Sequence, residues 1–95
     1  MNKINWQQRY QEPTLVKTFG EIKVGDLLSY HCNGCTKKYW VVTSVHDGFY
    51  RGNFTYNKEK AIQLYNDSHG RSTGSLELSP RYNIKMEMKG CRPPL

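Results

Sequence analysis

Residues 27–54, LLSYHCNGCTKKYWVVTSVHDGFYRGNF, decide the fold. Two turn signals punctuate the stretch: Asn33-Gly34, flanked by Cys32 and Cys35, and Asp47-Gly48, flanked by His46 and Phe49. Both central residues of a type I′ turn need positive φ, so Asn-Gly and Asp-Gly between apolar runs predict hairpins. The stretch reads as a three-stranded antiparallel meander, with strands over 27–31, 38–46 and 49–56. A two-residue loop at Asp47-Gly48 pairs His46 with Phe49, Val45 with Tyr50, Thr43 with Gly52, Val41 with Phe54 and Tyr39 with Tyr56. Alternation then puts Tyr39, Val41, Val45, Tyr50, Phe54 and Tyr56 on a core face. Trp40, Val42, Ser44, His46, Phe49, Arg51, Asn53 and Thr55 fall on the other, and a slip of one residue would exchange the two sets. Gly52 is expected to permit strong twist or a close approach.

Working outward, residues 1–13 are polar apart from Ile4, Trp6 and Tyr10, and read as a short helix or an arm docked through Trp6. A short strand is expected within 14–18. Ile22 and Val24 alternate with polar neighbours before Gly25-Asp26, a turn or bulge that leads into the first meander strand. Alternating apolar residues, Val24-Gly25-Asp26 and then a strand resemble the opening of small SH3-like barrels, some of which bind nucleic acid. Asn57 is placed to cap a helix over 58–66 that turns Ala61, Ile62 and Tyr65 to one side. So short a helix needs the sheet to support it. Residues 66–75 lack any large apolar side chain and read as a flexible loop. A short strand over 76–78 is followed by 81–88, RYNIKMEM, where Tyr82, Ile84, Met86 and Met88 point inward and Arg81, Asn83, Lys85 and Glu87 outward. Residues 89–95 form a tail.

The fold expected is mainly β: a small, partly open SH3-like barrel or bent antiparallel sheet of about five strands with one short helix. The alternative is an α+β sheet with the helix on one face. Ninety-five residues make a single domain with one modest core. Only 37% of the chain is hydrophobic, so its seven tyrosines are needed to close that core with their rings. No apolar run approaches the length of a membrane span, and the N-terminus lacks the apolar segment of a signal peptide, so a cytoplasmic protein is expected.

Fourteen Lys and Arg against eight Asp and Glu give a net charge of +6, which fits a partner rich in phosphates or carboxylates. On the outer face of the meander, Trp40, Phe49 and Tyr30 are candidates to stack on bases, with Arg51, Lys37, Lys38, Arg71 and Arg81 near phosphates. The competing reading covers Trp40, Val42 and Phe49 with the N-terminal segment or the helix. Cys32-x-x-Cys35 on a Gly-containing turn has the spacing of half a zinc site. Cys91 or one of His31, His46 and His69 would have to complete it, and no second paired motif exists. No cofactor is therefore expected, with zinc at Cys32 and Cys35 as the exception to test. No catalytic set can be defended from spacing, so an enzyme is not expected. Two functions remain: a non-enzymatic module binding RNA or single-stranded DNA, or a small regulator or inhibitor of a host protein such as phages and mobile elements encode.

Overall fold

A computed structural model describes residues 12–31, 34, 36–46, 49–69, 71, 76–78 and 83–90, without the side chains of 19 and 76–78. The elements are β1 (Thr14–Leu15), a 3-10 turn (Phe19–Glu21), β2 (Leu27–Tyr30), β3 (Lys38–His46), β4 (Phe49–Gly52), α1 (Lys58–Asp67), β5 (Leu76–Leu78) and β6 (Lys85–Met88). The strands form one antiparallel sheet in the order β1-β6-β2-β3-β4-β5, in which β1 contributes only two residues. The sheet does not close. Among the described residues the fold is mainly β, with one α-helix, and β6 returns beside the first strand of the meander.

The two predicted hairpins are present. Tyr30 is in register with Lys38, and His46 with Phe49. Gly34 has the positive φ (76°) that an Asn-Gly turn demands, while the Asp47-Gly48 pair lies outside the described residues. Ahead of β2, the Val24-Gly25-Asp26 turn locks onto β3 through Gly25 N–H to Val42 O (2.9 Å) and Val42 N–H to Asp26 O (2.9 Å). Gly25 takes φ 95°, which an L side chain would disfavour. The buried Asp26 carboxylate accepts the Lys23 N–H at 3.0 Å and the Gly90 N–H at 2.8 Å. A turn ahead of the meander is thereby stapled to the far end of the last strand.

Two bulges correct the expected faces. In β3–β4, Val45 pairs with Tyr50 and Ser44 with Arg51, but Val42 pairs with Gly52, which leaves Thr43 as an extra residue. Beyond it Tyr39 is bridged to Thr55, one residue short of the partner that an unbroken ladder would give. The extra residue inverts the parity of the strand. Trp40, Val42, Val45 and Tyr50 thus share one core, with Leu28, Ile84, Met86, Val16 and Ile22. The second bulge lies between β2 and β6, where Leu27 faces Met88 but Leu28 faces Met86. Glu87 is the extra residue here, and Met88 is turned away from Met86 to the opposite side of the sheet. Met88 joins Leu27, Val41, Ala61 and Ile62 in a second core, roofed by α1. The β2–β3 centre is therefore buried on both faces, as a bent sheet under a helix requires.

The helix forms where expected. Asn57, with φ −144° and ψ 131°, accepts the Lys60 N–H on its side-chain oxygen at 3.1 Å. Ala61 and Ile62 are its buried residues, and Tyr65 packs beside them. β4 ends at Gly52 rather than continuing to Tyr56, and β6 starts at Lys85, after Asn83 with φ 58°. Among the described residues no helix is long and apolar enough to cross a membrane.

Candidate functional site

The inverted parity moves the aromatic surface. Trp40 is 0% exposed, so the expectation that it offers its ring to a base is corrected. Its indole is packed against Gly52, where an added methyl would overlap Trp40 Cδ1 and stand 3.1 Å from Cγ. The Trp40 Nε1–H is buried and finds no acceptor among the described residues. Val42 is likewise core, and Phe49 is half-buried in a tilted contact with His46 at 5.7 Å between ring centroids. Phe54 and Tyr56, expected inside, are 40% and 60% exposed.

The backbone that carries Phe54 and Tyr56 is tied down at Thr55 and Asn53. Thr55 exchanges two backbone hydrogen bonds with Tyr39, each 2.8 Å, which ties the segment to the start of β3. The Thr55 hydroxyl donates to Asn57 O at 2.7 Å, just before the helix cap. On the other side the buried Asn53 donates from Nδ2 to the Arg71 carbonyl at 2.7 Å. Tyr39 belongs to the helix-covered core, so its neighbours across the ladder, Phe54 and Tyr56, leave on the opposite side. Their rings meet edge to face, 5.9 Å between centroids and 83° between planes.

Lys38 shares that side by alternation with Trp40. It stands in register with Tyr30, and its Nζ lies 6.0 Å from the Tyr30 ring centroid. Alternation thus places the strip Tyr30–Lys38–Phe54–Tyr56 on the side of the sheet that carries Trp40. Arg71 is exposed, and its carbonyl accepts from Asn53, whose side chain alternates to the face opposite Phe54. Arg51 is half-buried, in register with Ser44.

Lys37 faces the other way. Its Nζ lies 3.6 Å from Glu87 Oε2 and 5.2 Å from the Tyr39 ring centroid. Glu87, expected outward, is 1% exposed and also accepts the Ser29 hydroxyl at 2.6 Å. A buried carboxylate needs such partners, because an unpaired one carries a large desolvation cost. Lys37 is therefore committed to the fold. Sequence patterning missed Glu87 because period-two alternation assigned it to solvent, and a bulge leaves no mark in hydrophobicity. Of the eight carboxylates, Asp26 and Glu87 are thus buried and internally satisfied, which leaves fewer acids on the surface to oppose the basic residues.

On the first core, Tyr50 is fully buried, and burial pushes its hydroxyl up to about 12, with the Glu21 carboxylate adding to the effect. Glu21 is itself held below the usual carboxylate value by the Thr18 N–H (2.6 Å) and hydroxyl (3.0 Å), with the Lys17 N–H (2.9 Å) a smaller contribution.

The remaining sequence candidates, Cys32, Cys35, Cys91 and Arg81, lie outside the described residues. His31, His46 and His69 are exposed, and no group of three potential metal ligands forms among the described residues. No protein-family model, curated protein or solved structure matches the chain.

Proposed function

We propose that this chain is a non-enzymatic, cytoplasmic binding module that takes single-stranded nucleic acid on the Tyr30–Lys38–Phe54–Tyr56 strip. The observation that carries the reading is the exposed Phe54–Tyr56 ring pair, on the same side of the sheet as Lys38, in a chain of net charge +6. Aromatic faces accept bases whatever their identity, and nearby cations hold the phosphates. The anchoring of Thr55 and Asn53 supports the assignment, because a platform fixed in advance loses little freedom on binding. Lys37 is excluded from the strip by its pairing with Glu87.

The test is a salt titration of binding to labelled single-stranded oligomers. The logarithm of affinity should fall linearly with that of salt, by about 0.7 per phosphate contacted, and Lys38→Gln should flatten the slope by about that amount. No detectable binding at low salt would end the proposal. A complex recovered from cells that withstands nuclease and high salt would replace it with the protein-regulator reading.

A further inference from the structure

We infer that the strip selects nucleotides whose bases are turned out of the strand's own stack, such as pyrimidine runs and loops, an inference that rests on the nucleic-acid reading. In a stacked strand neighbouring bases are parallel and ~3.4 Å apart. Phe54 and Tyr56 present planes at 83° to each other, with centroids 5.9 Å apart. No pair of parallel neighbouring bases can lie flat on both rings at once. Two consecutive bases can use the pair only if the strand bends between them, each base following its own ring. The edge-to-face contact of the two rings spends one ring face internally. Lys38 lies on the same side of the sheet, in register with Tyr30, and supplies a cation for the phosphates of a bound strand.

The strand's own stacking is thus the competitor of this site, and weakly stacked sequences are the favoured ligands. The geometry also divides the labour: one ring suffices to hold a base, but two perpendicular rings are needed to prefer an unstacked pair. Loss of either ring should therefore remove the preference along with part of the affinity.

The experiment compares thymidine and deoxyadenosine oligomers of equal length by fluorescence anisotropy at low salt, using the full chain and Tyr56→Ala. The expected result is roughly tenfold tighter binding of the thymidine run, the factor set by opening about one average stacking step. In Tyr56→Ala, which removes an exposed ring, that ratio should fall to within about twofold of unity. Equal or tighter binding of the adenosine run by the unaltered protein overturns this inference and leaves the nucleic-acid reading standing. A preference undiminished in Tyr56→Ala overturns it as well. Binding of neither oligomer overturns both.

Discussion

Replacement of Gly52 by alanine tests the corrected register of the sheet. The added methyl would overlap Trp40 Cδ1, approach Trp40 Cγ to 3.1 Å and stand 2.6 Å from the Val41 carbonyl oxygen. Carbon and oxygen that are not bonded normally keep ~3.3 Å or more apart. Relief therefore needs a shift of several tenths of an ångström from a ladder carbonyl, and a larger one from an indole locked in the core. Overpacking of this kind costs about 1–3 kcal/mol, and a rigid ring together with backbone points to the upper end. A loss of about 3 kcal/mol is a large part of the ~5–15 kcal/mol that holds a domain folded. At this chain length it should lower the melting temperature by roughly 12–24 °C. Urea unfolding followed by circular dichroism measures the loss. Gly20→Ala is the internal control, because a methyl there meets nothing within 4 Å. It should leave stability unchanged or slightly raised. If Gly52→Ala loses less than about 1 kcal/mol, Trp40 is not seated on Gly52, and the bulge at Thr43 is misassigned.

Three other outcomes follow from particular contacts. Lys37→Gln should cost about 1–3 kcal/mol, discounted from the ~3–5 of a fully buried pair because the ammonium reaches water; Lys38→Gln should cost under ~0.5 and act on nucleic-acid affinity instead. A pair of melting curves with matched binding isotherms separates the two. Tyr50 stays neutral in the folded state up to about 12 but ionises near 10 when unfolded, so the unfolded chain holds fewer protons between those values. Stability should therefore fall by up to about 1.4 kcal/mol per pH unit across that window, and Tyr50→Phe should abolish this part of the slope; an unchanged slope in the variant would remove Tyr50 as its source. Asn57→Ala should destabilise by about 1 kcal/mol, read by thermal unfolding, through loss of the bond from the Lys60 N–H.

Elements with a local cause were legible in the sequence. The helix could be read because Asn57 caps it and Ala61, Ile62 and Tyr65 share one side. The meander could be read because short turn dipeptides separate its strands. The faces of β3 could not. Their assignment depends on a single extra residue, Thr43, whose hydroxyl donates to Arg51 O at 3.1 Å and which no composition rule distinguishes from its neighbours. That one residue moved Trp40 from the surface to the core, whereas Phe54 and Tyr56 keep the side of Tyr50 and are exposed beyond the end of β4. The same logic applies to β6, where clean alternation concealed the bulge at Glu87. The candidate site was therefore legible in chemical type, aromatic and basic, but displaced across the sheet in position. Of the residues singled out for it, Lys38 stays on the side of the relocated strip, while Lys37 serves the fold.

The double variant Phe54→Ala/Tyr56→Ala tests the proposed Phe54–Tyr56 platform most directly. Both rings are exposed, so the variant should fold and melt close to the unaltered protein. Stacking on an aromatic side chain contributes about 1–3 kcal/mol per base, so affinity for a thymidine oligomer at fixed low salt should drop roughly 30-fold or more. A folded double variant that binds the oligomer as tightly as the unaltered chain would contradict the account.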